Sequence, residues 1–78
     1  MWWFYKKLYE DEHLARYAYA CESYDADGEL LYSKPDETVE ITKPSHTTKS
    51  ERAQERAMEN MYDVVGRGFP ENTQVACG

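Results

Sequence analysis

The first forty residues alternate like strands, and the following stretch turns like a helix. Residues 2–9 (WWFYKKLY) and 14–22 (LARYAYACE) are rich in aromatics. The Tyr-x-Tyr steps suit a pleated, half-buried surface. Glu10-Asp11-Glu12-His13 is a charged loop between them. Asp25-Ala26-Asp27-Gly28 is the strongest turn signal, with Gly28 able to take positive φ at the close of a type I turn plus bulge. Leu30 to Ser33 reads as a short strand. Lys34-Pro35-Asp36-Glu37 is a second turn, with Pro35 setting φ at its second position. Thr38-Val39-Glu40-Ile41-Thr42 alternates cleanly and is β-branched, and Lys43-Pro44 stops it. A single helix over residues 2–24 is the rival reading of the first two runs.

After Pro44 the period changes from 2 to 3.6. Thr48 with Glu51 three residues on is a capping-box pattern. Ala53, Ala57, Met61, Val64 and Val65 share one face of a helical wheel, with Met58 at its margin. Glu51, Glu55, Glu59 and Asp63 occupy the other side, among Arg52 and Arg56. Gly66 is placed to cap the helix and Pro70 to stop it. Residues 73–77 are a candidate for a short last strand.

Turn lengths then predict faces, because opposed residues in an antiparallel pair share a side. Four-residue connections at 10–13, 25–28 and 34–37 set Trp2 and Tyr32 opposite Cys21, Phe4 opposite Tyr19 and Leu8 opposite Ala15. They also set Tyr32 opposite Val39 and Leu30 opposite Ile41. Phe4, Tyr19, Tyr32, Val39 and Ile41 then lie together against the helix. The other side receives Trp3, Tyr5, Tyr9, Arg16, Ala18, Ala20 and Leu31. The predicted fold class is α+β: an antiparallel meander of about four strands, with one C-terminal amphipathic helix packed on one face.

At 78 residues the chain has room for a single small domain, residues 1–78. Nine Lys and Arg stand against fifteen Asp and Glu, a net charge of −6. That balance argues against direct binding of nucleic acid or anionic membrane, which needs a concentrated basic surface. The apolar start Trp2 to Tyr5 is too short for a membrane span or a signal-peptide core. A cytoplasmic location is therefore expected, with both thiols, Cys21 and Cys77, reduced.

Candidate chemistry is sparse. Asp25-Ala26-Asp27-Gly28-Glu29 resembles the middle of a calcium loop, but Ser23 and Lys34 fall where the first and twelfth ligands belong. Cys21, Cys77, His13 and His46 lack the short paired spacing of zinc sites. No Gly-x-Ser-x-Gly elbow is present. Gly66-Arg67-Gly68 follows a helix rather than a strand. The expectation is no catalytic residue, no metal and no cofactor.

Two surface features remain. Trp3, Tyr5, Tyr9, Arg16 and Leu31 are the expected partner-binding residues on an aromatic open sheet face, serving a protein partner or a homodimer. The acids are also uneven: Glu10 to Glu40 holds ten against two bases, Arg16 and Lys34. The alternative reading is an acidic mimic of nucleic-acid phosphates that occupies the basic groove of a nucleic-acid-binding protein, by analogy with small phage-encoded inhibitors.

Overall fold

A computed structural model describes residues 2–76. Its elements in chain order are β1 (Trp2–Glu10), β2 (Leu14–Cys21), β3 (Gly28–Ser33), β4 (Thr38–Lys43), α1 (Glu51–Gly66) and β5 (Asn72–Ala76). The strands form one antiparallel sheet in the order β4-β3-β2-β1-β5. The α+β class, the meander and the helix agree with the sequence reading. The last strand is real and adds beside β1, at the far edge of the sheet, instead of folding over its open face. Cys77 lies outside the described residues.

The helix covers one face. Ala57, Met61 and Val64 are fully buried against Ala15, Tyr17, Tyr19, Leu30 and Tyr32. Val39 and Ile41 of β4 pack at the margin of this core. The hairpin β3–β4 has the expected register, Leu30 opposite Ile41 and Tyr32 opposite Val39.

Strand β1 is the exception. Trp3 faces Cys21 and Tyr5 faces Tyr19, and both Trp3 and Tyr5 are 2% exposed in the core. The turn-length argument had placed them on the open face, with Trp2, Phe4 and Leu8 inside. The physical reason is a bulge. The pairing runs Lys7 with Tyr17, then Tyr9 with Arg16, which leaves Leu8 as an extra residue. One inserted residue reverses the parity of everything beyond it. Phe4 is therefore on the open face opposite Ala20, and Trp2 is exposed.

The β2–β3 connection also differs. Tyr32 pairs with Ala15 rather than Cys21, and Tyr19 pairs with Gly28. The connection is longer than a tight turn, and Gly28 is the first residue of β3. Gly28 does not take the positive φ expected of a turn residue; its need for glycine is steric, since a Cβ there would sit 2.6 Å from Tyr19 Cε1 and 2.8 Å from the Ser45 backbone nitrogen. The register displacement is even, so β2 and β3 keep their predicted faces.

The helix is capped by Ser50, not Thr48: Ser50 Oγ accepts from Ala53 N at 3.1 Å. Thr48 is instead buried, donating from its hydroxyl to Tyr19 Oη at 3.3 Å. The helix runs through Gly66 and ends at Arg67, with Gly68 beyond it at φ +86°.

Two substitutions test this arrangement. Trp3→Ala should cost about 3–5 kcal/mol, most of the stability of a domain near ~5 kcal/mol. Phe4→Ala, which removes a partly exposed ring, should cost only about 1 kcal/mol. Urea denaturation of both variants checks this, and the opposite ranking would restore the unbulged register. Gly28→Ala should lose roughly 1–3 kcal/mol by overpacking, read as a lower urea midpoint. A midpoint equal to wild type would remove the close approach of Tyr19.

Candidate binding face

The side of the sheet away from the helix carries the exposed apolar residues. Trp2 (48%), Leu8 (47%), Tyr9 (50%) and Tyr24 (86%) are four of the five large apolar residues most open to solvent among those described. The fifth, Tyr62, is on the helix. Two clusters form on this side.

At one end Trp2 and Phe4 follow each other at the two-residue step of β1. The Tyr24 ring lies 4.6 Å from the Phe4 ring, centroid to centroid. Tyr24 is carried there by the segment after β2, which turns at Glu22 with φ +57°. Beneath it Ala18 and Ala20 are buried although they point away from the helix. An open groove of about 260 Å³ runs between Phe4, Lys6, Tyr24, Ala26, Asn72 and Gln74. That volume is under the roughly 300–1,000 Å³ of small-molecule sites, and suits one or two side chains of a docking partner.

At the other end the ladder aligns Tyr9, Arg16, Leu31 and Glu40 in one row across four strands. Tyr9, Arg16 and Leu31 are three of the five residues expected at a partner surface, and the structure brings them together. Arg16 Nη2 pairs with Glu29 Oε1 of the neighbouring strand at 2.8 Å. Tyr9 Oη donates to Asp11 Oδ2 at 2.7 Å, and this bond raises the phenol pKa. The remaining two expected residues, Trp3 and Tyr5, are in the core and are excluded from the surface. Sequence reasoning missed Trp2, Phe4 and Tyr24. The first two were assigned to the wrong face, and Tyr24 carried no periodic signal because it lies in a connection.

One side-chain cluster has the residue types of a nucleophilic triad. Asp27 Oδ1 accepts from Ser45 Oγ at 2.6 Å, and Asp27 Oδ2 lies 2.5 Å from His46 Nδ1. The order is wrong for catalysis, because the carboxylate sits between the serine and the histidine and Ser45 Oγ bonds to Asp27 instead of to the His46 ring. Ser45 is also fully buried. The cluster works as a clasp: Asp27 fastens the 45–48 segment, whose backbone leads into the helix. Hydrogen bonds from Ser45 and then His46 hold the Asp27 carboxyl well below the usual range. Among the described residues no group of three His, Cys, Asp or Glu is arranged to hold a metal ion. Among the described residues no helix is long and apolar enough to cross a membrane. No protein-family model matches the chain, and neither curated proteins nor solved structures give a match.

The clasp predicts acid sensitivity. Asp27 has a folded pKa depressed below its unfolded value near ~3.9. Its contribution is therefore present above about pH 4 and lost as pH falls through the folded pKa. Asp11 behaves alike: bonds from Tyr9 and from the His13 and Leu14 amides lower its pKa to about 2. Melting temperature should fall between about pH 4 and 2. Asp27→Asn should lower it at neutral pH and flatten that acid limb. An acid limb of unchanged steepness in Asp27→Asn would show that the clasp carries none of the dependence.

Proposed function

We propose that the protein is a small non-enzymatic interaction module that self-associates or binds a protein partner through its open sheet face. The observation that carries this reading is the distribution of apolar surface. One face is sealed by the helix, and the other leaves Trp2, Leu8, Tyr9 and Tyr24 about half exposed or more. Apolar patches rimmed by polar groups mark contact sites, with Trp, Tyr and Arg as anchors. Lys6, Arg16 and Glu29 supply that rim, and the Phe4–Tyr24 groove supplies a recess for a partner's side chain. No cofactor, metal or nucleic acid enters this reading.

The acidic helix supports a second reading, a phosphate mimic. Glu51, Glu55, Glu59 and Asp63 are all exposed and repeat at about 6 Å along the axis. Arg56, 4.0 Å from Glu59, offsets part of that charge.

Affinity purification from the native host, with mass spectrometry of what is retained, separates the two. Tyr24→Ala and Leu31→Lys should each lower affinity for the captured partner by ~2 kcal/mol or more, roughly 30-fold. Circular dichroism should stay unchanged, and added salt should matter little. Binding that survives both substitutions but collapses with salt and with Glu55→Gln plus Glu59→Gln would replace this reading with the mimic.

A further inference from the structure

The Phe4–Tyr24 groove changes chemistry along its length. Phe4 and Lys6 sit two residues apart on the open face of β1, about 7 Å from each other. Each has a polar residue directly opposite on β5, Gln74 across from Phe4 and Asn72 across from Lys6. Tyr24 and Ala26 line the groove from the connection after β2. One end is therefore aromatic, where the Phe4 and Tyr24 rings meet, and the other is polar, where Lys6 and Asn72 meet. Among the described residues Lys6 is the one charged residue lining the groove, and no carboxylate lines it. In a chain with fifteen acids against nine bases that is an exception. The acids of neighbouring segments are engaged elsewhere. Glu22 Oε1 accepts from Trp2 N at 2.6 Å, Glu29 pairs with Arg16, and Glu71 lies 3.7 Å from Lys7 Nζ. Asp25 stands between Tyr24 and Ala26 in sequence but does not line the groove. Lys6 is exposed and makes no ion pair among the described residues.

We propose that the groove docks an extended segment of a partner protein with the pattern apolar-x-acid, its apolar side chain against Phe4 and Tyr24 and its carboxylate at Lys6 and Asn72. The proposal rests on the open-face reading and names the partner's chemistry. Side chains two apart in an extended segment point the same way, about 7 Å apart. That is the spacing of Phe4 and Lys6, so a segment lying along β1 reaches both ends of the groove at once. The Lys6 ammonium and the Asn72 side-chain amide both donate, and a carboxylate accepts from both. A lysine or arginine in the same place would meet a like charge and no carboxylate. The net charge of −6 attracts basic partners at long range, so the acid is selected by the short-range contacts against that field. Salt screens the local attraction and the overall repulsion together, which keeps the net salt dependence small.

Amide chemical shifts of the isotope-labelled full chain test this. The probes are acetyl-Leu-Thr-Glu-amide and its counterparts with Gln or Lys in place of Glu. With the Glu peptide, wild type should show saturating shifts at Phe4, Lys6, Tyr24, Asn72 and Gln74, with Kd on the order of 1 mM. The Gln peptide should bind roughly threefold more weakly and the Lys peptide about tenfold. Lys6→Glu should invert the order of the Glu and Lys peptides. Tyr24→Ala should weaken all three about tenfold. Both variants should keep a native amide spectrum. Equal binding of the Glu and Gln peptides, or an order unchanged by Lys6→Glu, overturns the selection of an acid and leaves the groove as a plain apolar contact. No saturating shift at these amides up to ~10 mM peptide overturns the docking site itself. The open-face reading is decided separately, by the response of the captured partner to Leu31→Lys at the other end of the sheet.

Discussion

Three buried tyrosine hydroxyls tie the sheet to everything that crosses it. Tyr19 Oη accepts from Ser45 N at 3.3 Å, before the helix. Tyr5 Oη donates to the Ala57 carbonyl at 2.8 Å, in its middle. Tyr17 Oη donates to the Pro70 carbonyl at 2.6 Å, just after it. A tyrosine core gains large apolar area but must satisfy a hydroxyl on each ring, since a buried unpaired one costs about 1–3 kcal/mol. Here each hydroxyl finds its partner on the one segment that forms the second layer, so packing and hydrogen bonding select the same helix position. Burial raises the Tyr17 pKa to about 12, which keeps its proton available to Pro70. The indole nitrogen of Trp3 has no hydrogen-bond partner, so this ring contributes through area alone.

This arrangement requires Tyr5 to share a face with Tyr17 and Tyr19, and the bulge at Leu8 is what makes that so. Without the extra residue Tyr5 would face solvent and the helix would lose its central tether. The sequence could not show the bulge, for a specific reason. Strand β1 reads Trp-Trp, Phe-Tyr, Lys-Lys, Leu-Tyr from position 2, so each residue is followed by one of similar character. Either parity buries equal apolar volume and one lysine. Period-2 alternation therefore carries no information about facing in β1, and counting loop residues was the only guide. A bulge defeats counting. In β3 and β4 the alternation is unambiguous, and the register of Leu30 with Ile41 and Tyr32 with Val39 was legible. The helix face was equally legible at Ala57, Met61 and Val64. The cap was not, because Ser50 and Thr48 are both good N-cap residues and only the core hydroxyl of Tyr19 decides which one is drawn inward.

The candidate site inherits this ambiguity and part of its resolution. Tyr9 lies on the hairpin side of the bulge, where the displacement from the counted register is an even two residues, so the face it shares with Arg16 and Leu31 was readable although their pairing was not. Trp3 and Tyr5 lie beyond the bulge and exchanged places with Trp2 and Phe4. Local chemistry of the surface is almost unchanged by the exchange, since a Trp and an aromatic neighbour occupy it either way. The difference is that the exposed pair is Trp-Phe and the buried pair Trp-Tyr, which leaves the hydroxyl-bearing ring where a hydroxyl is needed.

The electrostatics follow the same division between what is fastened and what is left open. Lys7 and Lys34 both bind Glu10, at 2.6 and 2.8 Å, and Lys34 lies 4.5 Å over the Phe69 ring. The two lysine bonds, Lys34 first, hold the Glu10 carboxyl below its ordinary pKa. Four residues from β1, the β3–β4 turn and the helix exit thus meet where Tyr17 reaches Pro70, so the charged clip and the hydroxyl tether secure one corner. Asp27 secures the opposite connection through Ser45 and His46. Both clips join segments on the helix side of the sheet or at its ends. On the open face the ion pair Arg16 to Glu29 links neighbouring strands within the sheet and fastens nothing over it. Most of the stabilising polar contacts among the described residues thus hold the helix layer in place, and the aromatic face opposite carries only local ones, such as Tyr9 to Asp11.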